Sequence, residues 1–210
     1  LIISTPDDQG WFWYIPLKDN IVSVGTVGNK SLLFPEGESR DIEEAFSRLV
    51  SHCKPIASRL HAAERQGKMR SCSDFSYTSR RIAGNGYVLI GDAFGFIDPV
   101  YSSGVFLALK SGELAADTIH QALLEDDLSG KRLSAFAEEY IPGVNALRNL
   151  VYCFYNKDFR FSTFLKANPQ FKQHLVDLLT GNVYRDGIHD IFSAMQGQIE
   201  LPPQYEVDTT

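Results

Sequence analysis

The chain has 210 residues, of which 44% are apolar, 22% charged and 12% aromatic, the balance of an ordinary globular protein rather than a disordered one. A formal net charge of −6 without a basic tract argues against nucleic acid as a partner, because phosphates need clustered Lys and Arg. No apolar run approaches the roughly 20 residues that span a bilayer, so no membrane partner is expected.

Cys53, Cys72 and Cys153 are widely spaced and lie outside any CxxC pattern, which argues against a disulfide framework and against a zinc site. No metal is expected. Each thiol reads as a small buried hydrophobe, and a reducing, cytoplasmic setting is the default. The chain opens Leu1-Ile2-Ile3-Ser4 without Met or a signal-peptide pattern, and reads as the C-terminal part of a longer protein.

In chain order, Leu1–Ser4, Trp11–Leu17 and Ile21–Val27 are short aromatic and β-branched runs. The turn-like separators Pro6-Asp7-Asp8-Gln9-Gly10 and Lys18-Asp19-Asn20 make them an antiparallel meander. Phe34–Glu38 is a loop. Asp41–His52 predicts a helix with Ile42, Ala45, Phe46, Leu49 and Val50 on one face, and Asp41, Glu43 and Glu44 form an acidic first turn favoured by the helix dipole. Pro55 starts a further short helix reaching about His61. Arg70–Arg81 reads as extended, with Phe75, Tyr77 and Ser79 alternating with smaller polar residues. Gly84-Asn85-Gly86 reads as a turn, and Tyr87–Ile90 as a strand buried on both faces.

Val105–Leu124 predicts a long helix whose stripe of Ala108, Gly112, Ala115 and Ala116 suits close packing, which would offset the cost of about 1 kcal/mol for glycine inside a helix. Asp126–Lys131 is a loop. Leu133, Phe136, Ala137 and Tyr140 begin a helix that Pro142-Gly143 is expected to break or kink, and Val144, Leu147, Leu150, Val151 and Phe154 continue it. The helical pattern then runs to Met195 with interruptions at Asn168-Pro169 and Gly181-Asn182, before an extended tail, Leu201–Thr210. The expected division is 1–81 as a β-rich layer with short helices, 82–125 as strand, loop and helix, and 126–210 as a helical region. The fold class is α/β, or α+β for this segment by itself.

His52, His61, His120, His174 and His189 are scattered and read as surface or capping residues. Arg80 and Arg81 either face solvent or contact a ligand's phosphates. The segment of most chemical content is Gly91-Asp92-Ala93-Phe94-Gly95-Phe96-Ile97-Asp98-Pro99-Val100-Tyr101-Ser102-Ser103-Gly104, between the apolar run and the long helix. An acidic turn and a Pro–Gly loop leading into a helix N-terminus suit a polar, electron-rich ligand. The helix amides supply partial positive charge, and the Asp supplies an acceptor for sugar-like hydroxyls. The plainer alternative is a strand–turn–helix with an Asp cap.

With Pro99 and Gly104 behind it, Gly91-Asp92-Ala93 resembles the second FAD-binding motif of the flavoprotein monooxygenases. The resemblance implies FAD as cofactor, in a Rossmann-like domain of which this chain holds part. It implies that Asp92 accepts hydrogen bonds from the ribityl chain. Gly91, Ala93, Pro99, Gly104 and Val105 would line the cofactor, with the helix N-terminus at the pyrimidine end of the isoalloxazine. An anion there gains roughly 0.3–2 kcal/mol from the helix end.

Trp11-Phe12-Trp13-Tyr14-Ile15-Pro16 resembles the W-x-W-x-I-P signature of the flavin-dependent halogenases at Trp11, Trp13, Ile15 and Pro16. Taken alone, alternating aromatics also suit one face of a buried strand. Asp98–Gly104 is similar to the halogenase Asp-Pro-x-x-Ser-[Ser/Thr]-Gly loop, which implies a halide at the backbone N–H groups of Ser103 and Gly104. Asp74-Phe75-Ser76-Tyr77, Ser79-Arg80-Arg81 and Gly86–Ile90 are similar to the approach to this loop in halogenases of pyrroles and phenols, often presented on a carrier protein. Tyr101 stands where tryptophan halogenases carry Glu, which points away from free tryptophan.

The resemblance covers residues 10–125 well and the helical remainder only in character. It implies chemistry that takes reduced FAD from a separate flavin reductase, O2 and halide, and delivers hypohalous acid to an electron-rich aromatic. The Trp11–Pro16 segment would shield that substrate from the flavin. The family's Gly-rich pyrophosphate turn and its catalytic lysine have no counterpart in the sequence, and neither Lys18 nor Lys110 stands in a matching context. Both features are expected upstream of Leu1, so the catalytic residue is unassigned. Two other readings stand: a flavin monooxygenase or dehydrogenase on the same scaffold without halide chemistry, and a non-catalytic piece.

Overall fold

The computed structural model describes residues 1–5 and 9–208; residues 6–8 of the first separator and 209–210 of the tail lie outside them. The chain forms two compact units, Leu1–Ser73 and Asp74–Thr210.

In the first unit, β1 (Ile2–Ser4), β2 (Gly10–Pro16) and β3 (Val22–Gly28) form the expected antiparallel meander, in the order β1-β2-β3. Phe12 pairs with Ile3 on one side and with Thr26 on the other. Strand alternation sends Phe12 and Tyr14 to one face and Trp11, Trp13 and Ile15 to the other. Phe12 and Tyr14 join the core with Leu49, Cys53 and Ile56, and the Phe12 ring meets Phe46 edge-on at 6.3 Å. A short helix missed by the sequence reading, α1 (Lys30–Leu33), starts where Asn29 Oδ1 accepts from the Leu32 N–H at 2.9 Å. In α2 (Ile42–His52) the acidic turn is a cap, since Asp41 Oδ1 accepts from Glu43 and Glu44 N–H at 2.8 and 3.0 Å. Pro55 sits in the first turn of α3 (Lys54–Leu60), where its missing N–H costs nothing.

In the second unit the expected extended run over Arg70–Arg81 is mostly irregular. Asp74 takes φ 52° and breaks it, and only β4 (Tyr77–Thr78) forms a strand, paired with β7 (Gly95–Phe96). β5 (Ala83–Gly84) and β6 (Tyr87–Val88) make a hairpin across Asn85-Gly86. Tyr87–Ile90 is not buried on both faces: Tyr87 is 48% and Ile90 41% exposed. Among the described residues β6 pairs only with β5, so its other edge has no strand partner.

The long helix is α4 (Gly104–Leu124). Its buried stripe is Leu107, Ser111, Ala115 and Ala122, whereas Ala116 is exposed. A Cβ on Gly112 would make only an ordinary contact, 3.9 Å from Ile90 Cδ1, so close packing does not explain that glycine. α5 (Gly130–Leu133) follows a Ser129 cap, and α6 (Ala137–Tyr155) continues past Pro142 rather than stopping there. Burial of Ile141, Val144, Leu147 and Leu150 around the proline outweighs its cost of about 3 kcal/mol. Gly143 lies beneath the Tyr184 ring, where a Cβ has no room.

Of the remaining helices, α7 (Phe161–Ala167), α8 (Lys172–Leu179) and α9 (Asp190–Met195), the breaks at Asn168-Pro169 and Gly181-Asn182 fall where the sequence predicts, whereas residues 156–160 and 183–189 are not helical, against expectation. The tail is held to α6 by Asn145, which accepts from Tyr205 N–H at 2.8 Å and donates to Tyr205 C=O at 3.3 Å. Arg148 stacks 4.2 Å from the Tyr205 ring. Arg81 forms an ion pair with Asp208 at 3.4 Å. Cys53 and Cys153 are buried as expected, and Cys72 is exposed, against expectation. Burial pushes the Cys153 thiol up to about 12, which leaves it unreactive at neutral pH. Among the described residues no helix is long and apolar enough to cross a membrane.

Candidate functional site

In the second unit, the 91–104 loop begins at a position only glycine fits comfortably. Gly91 has φ 51°, and a Cβ there would sit 3.1 Å from that of Ala108 on α4. Its N–H donates to Ser111 Oγ at 2.9 Å, and that hydroxyl donates to Ala108 C=O at 3.0 Å. Ser111 is fully buried and fastens the turn to the helix. Asp92 and Ala93 project outward as exposed residues. The Asp92 carbonyl accepts from Tyr77 OH at 2.7 Å, while among the described residues its carboxylate has no hydrogen-bond or ion-pair partner. Asp92 therefore caps nothing, and its oxygens are available as acceptors.

The capping role belongs to Asp98. Its Oδ1 accepts from Val100 N–H at 3.0 Å and its Oδ2 from Tyr155 OH at 2.8 Å. Burial raises the Asp98 pKa above the ordinary carboxylate value, and the two hydrogen bonds pull it part of the way back. A raised folded-state pKa means that this group's contribution to stability is full below the unfolded value of about 3.9 and is lost as pH rises through the folded one. Asparagine keeps an acceptor and carries no charge. Asp98→Asn is accordingly expected to gain stability relative to the parent chain as pH rises from 4 toward neutrality (about 7). Urea unfolding followed by circular dichroism at several pH values checks this, and a constant or shrinking difference contradicts it.

After the Pro99–Tyr101 turn, Ser102 takes the left-handed conformation with φ 55°. Ser103 is buried and precedes α4 without a side-chain cap. The N–H groups of Gly104, Val105 and Phe106 thus have neither an intrahelical acceptor nor a capping oxygen. A Cβ on Gly104 would meet nothing within 4 Å, and Val105 is 74% exposed, so this helix end opens onto free space. The Tyr101 ring packs edge-on against Phe154 at 6.0 Å, and burial pushes its hydroxyl pKa up. A helix end of this kind holds an anion, and the exposed Asp92 carboxylate accepts from hydroxyls. These residues fit the ribityl and pyrimidine side of FAD. No residue of this chain offers the Gly-rich turn that holds the pyrophosphate side.

In the first unit, the two tryptophan rings of β2 lie 6.2 Å apart at 59°. Trp13 Nε1 donates to Ser23 Oγ at 3.1 Å, and its ring covers Gly25. Trp11 is buried, Trp13 partly so, and Ile15 and Pro16 are exposed. Trp11, Trp13 and Ile15 share the face opposite the core, where Phe12 and Tyr14 do the packing. The buried-strand explanation therefore accounts for Phe12, Tyr14 and the buried Trp11, and leaves Trp13, Ile15 and Pro16.

Lys110 pairs with Glu113 and Glu139 at 3.2 and 3.3 Å and lies over the Tyr184 ring. His52 and His61 bond to the carbonyls of Arg48 and Ser58 at their helix ends. Sequence reasoning missed Ser111 and Tyr155. A lone Ser on the Leu107–Ala115 stripe was a signal for the first; nothing local marked the second.

Residues 3–183 match the family model described as tryptophan halogenase. The chain is 28% identical over 202 residues to a 1H-pyrrole-2-carbonyl-(peptidyl-carrier protein) chlorinase of Pseudomonas fluorescens, covering 93% of this chain and 44% of that protein. It is 30% identical over 197 residues to a tryptophan 2-halogenase of Chondromyces crocatus, covering 91% of this chain and 37% of that one. The solved structure of the flavin-dependent brominase Bmp2 superposes with a TM-score of 0.75 at 28% identity, over 90% of this chain and 48% of its own. The chain spans less than half the length of each of these proteins. The likeness reaches beyond residues 10–125, well into the helical region.

Proposed function

The chain belongs to the tryptophan halogenase family, and from that premise we propose that it supplies one side of the active site of an FAD-dependent enzyme that halogenates an electron-rich aromatic with O2 and halide. The observation that carries this reading is the uncapped first turn of α4, which opens onto free space at Gly104 in the same loop as the unpartnered Asp92 carboxylate. Asp92 holds the ribityl hydroxyls, and Gly91, Ala93, Pro99, Gly104 and Val105 line the cofactor. Reduced FAD from a separate flavin reductase, when bound here, would supply the electrons that activate O2 as the oxidant of the halide. The amides of Ser103 and Gly104 seat the halide, whose charge the helix end favours by roughly 0.3–2 kcal/mol.

Trp11, Trp13, Ile15 and Pro16 shield the aromatic substrate from the flavin; the sharing of the non-core face by Trp11, Trp13 and Ile15 supports that role. Tyr101 favours a pyrrole or phenol over tryptophan, and the Pseudomonas chlorinase by its name acts on a carrier-protein-bound pyrrole. We assign the same substrate class here.

The test is the full-length protein given reductase-supplied reduced FAD, O2, chloride or bromide, and in turn a pyrrolyl carrier protein, a phenol and free tryptophan, with products read by mass spectrometry. Halogenated pyrrole or phenol supports the reading; hydroxylated product alone sinks it in favour of a monooxygenase. A narrower prediction concerns Asp92→Ala. Among the described residues its carboxylate has no hydrogen-bond or ion-pair partner, so the melting temperature is expected to hold while FAD affinity falls about tenfold or more, the worth of charge-assisted hydrogen bonds. Flavin fluorescence titration of the full-length protein reads this directly.

A further inference from the structure

We infer that Tyr155 is a positioning residue for the loop at the start of α4, acting through Asp98; the inference rests on Ser103 and Gly104 being the halide's seat. Tyr155 is the last residue of α6 and stands 57 positions from Asp98, so their 2.8 Å hydrogen bond is a tertiary clamp rather than a local turn. The two oxygens of this carboxylate do different work. Oδ1 accepts from Val100 N–H and sets the loop's own turn. Oδ2 ties that turn to the helical region.

Downstream of Val100, only Tyr101 and the left-handed Ser102 precede Ser103 and Gly104, and Ser102 N–H closes the turn on Pro99 C=O at 2.9 Å. A displacement of Asp98 is therefore passed to the free amides of α4 through a short stretch with little slack. The same end of α6 supplies the packing. Phe154 meets Tyr101 edge-on at 6.0 Å and the Tyr155 ring at 5.2 Å. Tyr155 itself touches neither cofactor nor halide in this scheme; it acts on the geometry of the amides that do.

The experiment is Tyr155→Phe in the full-length protein, which removes the hydroxyl and keeps the ring packing. Hydrogen exchange at the Val100 and Ser102 amides is expected to rise about tenfold, with exchange in the middle of α4 and the melting temperature unchanged. The halide KM is expected to rise while kcat is kept. Asp98→Ala removes both acceptors and is expected to raise exchange at the same two amides and the halide KM at least as far. Unchanged exchange at those two amides overturns the inference whether or not the protein halogenates. A uniform rise in exchange with a lower melting temperature overturns it too, since Tyr155 is then merely structural. Raised loop exchange with an unmoved halide KM shows that the loop is held for something other than halide, and overturns the link to the reaction. If the parent protein halogenates nothing, the proposed activity fails by itself, and the exchange measurement alone decides the positioning role.

Discussion

Phe12→Ala is expected to destabilise the first unit by about 3–5 kcal/mol, the usual range for truncating a fully buried aromatic. Phe12 has no exposed surface and shares its core with Leu49, Cys53 and Ile56, a small cluster with little redundancy to absorb a cavity. The chain has two tryptophans, Trp11 and Trp13, and both flank Phe12 on β2. Tryptophan fluorescence in urea therefore reports the unfolding of this unit. The companion change, Trp13→Phe, falls on the opposite face. It keeps a ring over Gly25 and loses the Nε1–Ser23 bond, so its expected cost is about 1 kcal/mol. If the two variants shift the transition equally, the division of β2 into a core face and a functional face is wrong. If only Phe12→Ala does, Trp13→Phe becomes a usable probe of substrate shielding in a folded protein.

What could be read from the sequence was what backbone geometry and local pattern dictate. The period of two in Trp11–Pro16, the turn residues around it and the capping Asp41 each fix their own neighbourhood. The 91–104 segment was legible for the same reason: a left-handed Gly91, a Pro-led turn and a helix start restrict which residues fit. What failed depended on neighbours far along the chain. Tyr87–Ile90 is apolar enough for a strand buried on both sides, but burial needs flanking strands, and β6 has one. Pro142 has a real local cost that predicts a break or a kink, yet the surrounding apolar residues of α6 keep the helix continuous through it. An Asp cap was weighed for the loop, and the structure gives that role to Asp98 while leaving Asp92 free. The anchors Ser111 and Tyr155 lie 20 and 57 positions from their partners, beyond the reach of any periodicity.

Two glycines of the loop separate folding from function. Gly91→Val is expected to destabilise the second unit by about 3 kcal/mol or more, since a β-branched residue at positive φ is strained and the displaced amide loses its bond to the buried Ser111 hydroxyl. Its Cβ would also press on Ala108 at 3.1 Å. FAD binding is expected to go with it, because Asp92 is the next residue. Gly104 is the opposite case. Its φ is ordinary and the space around it is open, so Gly104→Ala is expected to change stability by no more than about 0.5 kcal/mol. Nothing within the described fold asks for glycine there. If a halide and a flavin edge approach the α4 amides, a methyl group at this position stands in their way, and the full-length variant should melt normally while its halide KM rises about tenfold or more. Thermal unfolding by circular dichroism and halide-dependent product formation measure the two quantities side by side. A Gly104→Ala enzyme with normal halide dependence would mean that nothing comes close to those amides, and the halide would have to be sought elsewhere on the protein.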